Sequence, residues 1–387
     1  FLSMYPTLSD ALHDLLGINI PLPIQTFGLI LALSFFLAAY ILILEFKRKE
    51  RSGLLKSFTV TTIKGKPAST SELFWSGAVG FLVGFKLLDA ILNYSDLVND
   101  PQGFLLSSRG NVIGGILLGA YSVWSKYKEK EKQKLAVPQT VTEVGYPHQF
   151  VMNITIAAAV AGLIGAKIFH NLENIDDFLK DPVDALISFS GLTFFGGLIC
   201  GALAVIWYSS KKLNVPPLVM CDVAAPALML TYGTGRLGCH FSGDGDWGIV
   251  NTLAKPSWFP FPDWMWSYNY PHNVIGEGVP IEGCVGKHCF ELIPPVFPTP
   301  LYEAIACILL FFILWKLRTR IVTPGVLFFV YLLFTGVERL AIEQIRVNTK
   351  YHIFGKAITQ AELIAVACII VSIVGITLLK RKNSGSS

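Results

Sequence analysis

Charge is scarce in this chain. Only 15% of its 387 residues are Asp, Glu, Lys or Arg, while 52% are hydrophobic. Soluble domains carry about 25% charged residues, so a soluble globular domain is excluded and an integral membrane protein is indicated. Lys and Arg are missing from residues 1–23 altogether, so no cleavable signal peptide is expected. The formal net charge of +4 says little until it is mapped onto loops. Phe1 and the tail Asn383 to Ser387 take no part in the fold argument.

What is abundant is apolar sequence in long runs. Nine segments stand out, near residues 24–44, 72–94, 110–124, 149–169, 193–208, 215–234, 300–317, 322–345 and 360–379. Several approach the roughly 20 residues needed to span a bilayer. The third and fifth are short and rich in glycine.

The 31 Lys and Arg test this count independently of hydropathy. Taken over alternating loops, 20 fall on one side, in 45–71, 125–147, 209–214, 316–321 and the C-terminus, and nine on the other. Lys86 and Lys167 remain inside apolar runs, where they are expected to snorkel or bind headgroups. The positive-inside rule then places the N-terminus outside and the C-terminus in the cytoplasm. The expected fold is all-α: a polytopic integral membrane protein of about nine transmembrane helices, forming a single transmembrane domain over 1–387.

An internal repeat is visible in the early spans. Gly80 to Lys86 matches Ala161 to Lys167 at an offset of 81, and Gly114-Gly115 with Gly119-Ala120 matches Gly196-Gly197 with Gly201-Ala202 at 82. Helical hairpins at 72–124 and 153–208 therefore look duplicated, although small residues also recur wherever membrane helices pack closely. Each copy holds an even number of spans, so both insert in the same orientation, unlike an inverted-repeat transporter. Residues 72–147 read as an extra hairpin plus a cytoplasmic linker, its lysine-rich strip 126–134 serving as a topology anchor.

The stretch 231–248 organises the rest of the chain. A long apolar run ends there in an expected glycine-rich bend carrying Arg236, His240, Asp244 and Asp246. Glycines at a bend expose backbone N–H groups, and an arginine supplies a planar fork, which together suit an anionic headgroup at the membrane edge. Farther along, Arg339, Glu343 and Arg346 recur at spacings of four and three and share a helix face on the same side of the membrane. Charges within a bilayer are functional candidates by default. Residues 249–297 form an exterior loop rich in Trp, Tyr, Phe and Pro, expected as an anchor, a lid or a docking surface. Within it Cys284 and Cys289 lie close together. A disulfide is expected there rather than a zinc site using His288, because no second metal-like pair is near.

Several motifs resemble those of the prolipoprotein diacylglyceryl transferase family. Gly235-Arg236-Leu237-Gly238 followed by Gly243 to Gly248 is similar to the family's signature loop, with Cys239 and His240 in place of Asn and an Asp pair in place of Glu. Pro298-Thr299-Pro300-Leu301-Tyr302-Glu303 and the run from Arg339 to Arg346 resemble two further motifs, and Asp222 to Pro226 and Gly196-Gly197-Leu198 fit as well. Two departures stand out: Phe195 occupies the place of a His and Phe27 that of a Tyr. The extra hairpin is also unusual for the family.

The resemblance implies a bacterial, multi-pass inner-membrane enzyme that moves the diacylglyceryl group from phosphatidylglycerol to the lipobox cysteine of a prolipoprotein signal peptide. The thiolate attacks the glycerol carbon bearing the phosphate, forming a thioether and releasing glycerol phosphate. Arg236 and Arg339 would hold the phosphate, with Glu343 and Asp246 orienting them. Gly235, Gly238, Asp244, Gly196, Gly197, Tyr302, Glu303 and Arg346 would complete substrate binding. The base for the thiol stays open between His240, Asp244 and Asp246. No cofactor, metal or nucleic acid is expected. Two other readings stand beside this one: a lipid or small-molecule transporter with Lys86, Lys167 and Asp89 along its path, and a lipid-binding relative without catalysis.

Overall fold

A hydrocarbon solvent offers backbone polar groups no partner except one another, so apolar segments of this length fold as helices. In the computed structural model of the chain the described residues are 4–187, 193–348, 350–353 and 356–384. Among them, nine helices of 17 to 26 residues coincide with the nine apolar segments. They are α1 (Thr26–Arg51), α2 (Thr70–Leu92), α3 (Val112–Gln133), α4 (Val151–Glu173), α5 (Phe194–Lys212), α6 (Pro217–Ser242), α7 (Thr299–Leu317), α8 (Val326–Ile342) and α9 (Gln360–Ser384). Six of them, α1, α2, α4, α6, α7 and α9, are long and apolar enough to cross a membrane. The protein is a mostly helical, multi-pass membrane protein.

The expectation of an all-α fold needs correction. Three small antiparallel pairs are present: β1 (Phe58–Lys64) with β2 (Gln139–Gly145), β3 (Val279–Pro280) with β4 (Phe290–Glu291), and β5 (Lys350–Ile353) with β6 (Lys356–Thr359). β1 reads Phe-Thr-Val-Thr-Thr-Ile-Lys, a run of β-branched residues whose preference for strand geometry was hidden inside what looked like a basic loop. The lysine-rich strip 126–134 is largely helical, because α3 continues through it to Gln133. Its Lys and Glu residues are good helix formers and pair three apart, as in Lys126 with Glu129 at 3.0 Å.

The chain divides into two compact units, one of Phe1–Leu15, Gln25–Leu55 and Pro147–Ser387, the other of Leu16–Ile24 and Lys56–Tyr146. In the second unit α2 packs along α3, with β1 and β2 paired from Phe58–Gly145 to Lys64–Gln139. A Cβ placed on Gly84 would lie 2.2 Å from the Gly114 carbonyl oxygen, so only glycine permits this helix contact. In the first unit α4 packs on α5 in the same way: a Cβ on Gly165 would lie 2.5 Å from the Gly196 carbonyl oxygen.

The repeat extends beyond these glycines. The Asn111 amide donates to the Phe85 carbonyl at 2.8 Å, and the Thr193 amide to the Ala166 carbonyl at 3.1 Å. α2 and α4 both end at an asparagine, Asn93 and Asn174, and a six-residue helix follows each. Gly196 and Gly197 are therefore committed to helix packing. Lys86 is neither snorkelling nor open to a headgroup: its ammonium donates to the carbonyls of Phe104 (2.9 Å), Ser107 (2.6 Å) and Arg109 (2.7 Å).

The core of the larger unit is built by α1, α6, α7 and α8, with Ile41, Met229, Leu230, Cys307, Phe311, Leu314 and Leu327 buried together. At one end of these helices Asp222 accepts the amides of Gly325 (2.8 Å) and Phe328 (2.9 Å), capping the start of α8, and pairs with Lys49 at 3.8 Å. Arg318 joins Glu45 there and lies 3.3 Å from the centroid of the Trp315 ring. At the other end of the same helices lies a second, separate cluster of charge.

Candidate functional site

The second cluster forms where α6 ends, α7 begins and α8 ends. α6 does not bend at its glycines: it runs on to Ser242 and stops at Gly243, which adopts a left-handed conformation (φ 62°) that suits glycine. Gly235 and Gly238 are accordingly helical, with their amides inside the helix ladder, and they do not form an N–H cradle. The expected bend begins only at Gly243. Gly238 instead lets α1 approach, since a Cβ there would lie 3.2 Å from the Phe27 ring.

From this helix end Arg236 reaches both Asp246 and Glu303. Its guanidinium also stands 5.2 Å from the centroid of the Tyr232 ring, one turn back. Glu303, in the first turns of α7, is wholly buried. Its Oε1 accepts from Arg339 at 3.1 Å and from Arg346 at 2.9 Å. Arg339 pairs in addition with Glu343 at 3.2 Å across one helical turn, and Glu343 accepts from the Asn348 side chain at 2.6 Å. Arg346 completes the ring by pairing with the second oxygen of Asp246. Three guanidiniums thus share three carboxylates, Glu303, Glu343 and Asp246, in a closed network. Buried charges persist only when paired and hydrogen-bonded in this way.

The backbone fixes the two groups that come from outside the helices. Gly248 forms a bridge with Arg346, and the Ile249 amide donates to the Ile345 carbonyl at 2.8 Å. A Cβ on Gly248 would lie 2.5 Å from that same carbonyl oxygen, so glycine is needed for the approach. Thr299 donates to the Asp246 carbonyl at 2.9 Å, tying the loop to the start of α7.

Of the cluster's side chains Asp246 is the most exposed, at 34%, compared with 8% for Arg346 and 16% for Arg236. Burial pushes its carboxyl up, but the Arg236 and Arg346 guanidiniums outweigh burial and hold it below the ordinary carboxylate range. Asp244, two residues away, moves the other way because burial dominates. Ligand-type atoms of Cys239, Asp244 and Asp246 lie within 4.8 Å of one another. A cation there would compete with the two guanidiniums already held by Asp246.

The structure does not bring every expected residue into the network. His240 is buried in an aromatic box of Phe241, Trp264, Tyr268 and Tyr270, with its Nδ1 3.2 Å from the Tyr270 hydroxyl. Tyr302 donates its hydroxyl to the Met265 carbonyl at 2.6 Å, pinning the aromatic segment to α7. Gly196 and Gly197 sit on the α4–α5 contact. The segment 249–297 has a core of its own: Trp247, Tyr268, Tyr270, Leu292 and Val296 pack with Met4, while Trp258 and Phe261 stay exposed. Cys284 and Cys289 form the expected disulfide.

Two residues at the cluster were given no role by sequence reasoning, Tyr232 and Glu338. Glu338 precedes Arg339 and is buried, which its position as an ionisable residue inside an apolar span would have flagged.

Fold and site together define a helical membrane protein that gathers three arginines from different parts of its chain at one end of its bundle. The chain belongs to the prolipoprotein diacylglyceryl transferase family, whose model matches residues 115–378. It is similar to proteins named phosphatidylglycerol--prolipoprotein diacylglyceryl transferase. With that of Corynebacterium glutamicum it shares 32% identity over 206 residues, covering 52% of this chain and 60% of the relative. With that of Clostridium tetani it shares 25% over 231 residues, covering 59% and 80%, and with that of Leptospira interrogans 32% over 211 residues, covering 48% and 58%. The chain spans about 60% of the length of the first of these relatives.

Proposed function

We propose that this protein transfers the diacylglyceryl group of phosphatidylglycerol to the thiol of a lipobox cysteine in a prolipoprotein signal peptide, forming a thioether and releasing glycerol phosphate. The observation that carries the reading is the convergence of Arg236, Arg339 and Arg346 on Glu303 and Asp246. Family membership and the names of the relatives point the same way. In this reading the protein lies in the bacterial inner membrane and crosses it nine times. Its N-terminus is outside and its C-terminus cytoplasmic, so the arginine cluster meets the outer leaflet.

Chemically, the reaction needs an electrophilic carbon whose leaving phosphate is stabilised as negative charge builds on it. Guanidinium groups fixed in a site of low dielectric supply that stabilisation without having to reorganise. The carboxylate of Asp246 spans Arg236 and Arg346 with its two oxygens, as two non-bridging oxygens of a phosphodiester would. Being the most exposed member, it is the group that the lipid phosphate displaces. Glu303 and Glu343 stay in place and hold the guanidinium forks in orientation.

The test is reconstitution of the full chain with phosphatidylglycerol and a synthetic lipobox peptide, followed by mass measurement of the peptide. A gain of one diacylglyceryl group on cysteine is expected, and an unmodified peptide would reject the reading.

A further inference from the structure

One buried group at the cluster takes no part in the network. Glu338 is 8% exposed, and neither of its carboxylate oxygens has a hydrogen-bond partner among the described residues, although both are shielded from solvent. Leaving a carboxylate unsatisfied in this way costs free energy, so its retention asks for a donor that arrives with a ligand.

The neighbours of Glu338 define where that donor would come. It lies within electrostatic reach of Arg236, Glu303, Arg339 and Arg346. It also influences Tyr232 and Cys307. Tyr232 is one turn before Arg236 on α6 and Cys307 one turn after Glu303 on α7, so both lie a layer deeper in the bundle than the arginine network. α9 faces this part of α8 with Cys368, against Gly336. Glu338 thus stands beside the guanidinium cluster, directly before Arg339 on α8, and within reach of the same deeper residues as Glu303.

Displacement at a tetrahedral carbon is in-line: the nucleophile enters opposite the leaving group. With the phosphate held by the guanidiniums, the entering sulfur lies across the glycerol carbon from them, and its base must be an unpaired group next to the cluster, which Glu338 is. We infer that Glu338 is the general base of the transfer, its free carboxylate accepting the proton of the lipobox thiol. This rests on the transferase reading above. The S–H bond gives its proton to Glu338 and the sulfur–carbon bond forms. The carbon–oxygen bond to phosphate breaks, and its electron pair leaves on glycerol phosphate.

The test compares two synthetic lipobox peptides, one with cysteine and one with selenocysteine, on the full chain in phosphatidylglycerol nanodiscs. A selenol is ionised at neutral pH and needs no base. Glu338→Gln is expected to lose at least about 100-fold in kcat/KM with the cysteine peptide, within the range of general-base catalysis, and less than about 10-fold with the selenocysteine peptide. Glu338→Asp, which keeps a carboxylate, is expected to outperform Glu338→Gln on cysteine. Equal losses on the two peptides, or a Gln variant as active as the Asp variant, would overturn the assignment. Should Glu338→Gln fail to fold, Glu338→Asp carries the same two-peptide comparison. Wild-type protein that modifies neither peptide would reject the transferase reading itself.

Discussion

Glu303 and Arg346, 43 residues apart, meet at 2.9 Å with the carboxylate wholly buried. The contact closes the start of α7 onto the end of α8, and the same carboxylate also receives Arg236 and Arg339. Removing it strands three guanidiniums beside two remaining carboxylates. Breaking a buried pair by deleting one partner costs about 3–5 kcal/mol. Glu303→Ala is therefore expected to lower the thermal midpoint of the detergent-solubilised protein markedly. A midpoint within a degree of wild type would show that the cluster contributes nothing to stability.

Arg236 makes its two contacts from different nitrogens, Nε to Glu303 and Nη1 to Asp246. A lysine offers one ammonium and cannot span both. Arg236→Lys should thus behave more like Arg236→Ala than like wild type in thioether formation, each falling by about 100-fold or more. Near-normal turnover in the lysine variant would show that charge alone suffices there.

The contrast between the two ends of the bundle explains how much was legible beforehand. The nine helices follow from apolar runs, six of them long and apolar enough to cross a membrane, and the disulfide follows from two close cysteines in one loop. Arg236, Arg339 and Arg346 could be named from position and charge. What hid Glu303 as their common centre is geometry: it is one carboxylate in a first helical turn, and only the crossing of α6, α7 and α8 makes it central. The glycines misled for a physical reason. Gly235 and Gly238 read as a bend, yet glycine also serves close helix packing, and Gly238 against Phe27 is that case. β1 is masked in the sequence because the basic residues around it give the stretch the look of a cytoplasmic loop.

Asp244 and Asp246 give opposite pH signatures. Asp246 has a folded pKa below its ordinary value of 3.8, so its stabilising contribution is present above that value and is lost as pH falls through the depressed one. Asp244 has a raised pKa, so its contribution is present below 3.8 and is lost as pH rises through the raised value. At pH 7 Asp246→Asn should therefore lower the thermal midpoint and Asp244→Asn should raise it. The Asp244 difference should shrink as pH falls through its raised value toward 3.8, and the Asp246 difference only as pH falls below 3.8. Parallel curves for the two variants would contradict the opposed environments.

Sidedness decides whether the proposed reaction is possible, because in that reading the outer leaflet supplies the lipid. Leu253, in the segment after α6, and Val322, between α7 and α8, are exposed at opposite ends of the larger unit. The excess of Lys and Arg, including Lys316, Arg318 and Arg320, lies at the Val322 end, which the positive-inside rule assigns to the cytoplasm. Cysteine can be introduced singly at each position after replacement of the free Cys200, Cys221, Cys239, Cys307 and Cys368, leaving the disulfide intact. In intact cells stripped of their outer barrier, a membrane-impermeant maleimide should label Leu253→Cys at once and Val322→Cys only after the membrane is opened. The reverse order would turn the arginine cluster toward the cytosol. A lipobox cysteine presented from outside could then not reach the phosphate that Arg236 and Arg346 are placed to hold, and the proposed chemistry would lose its site.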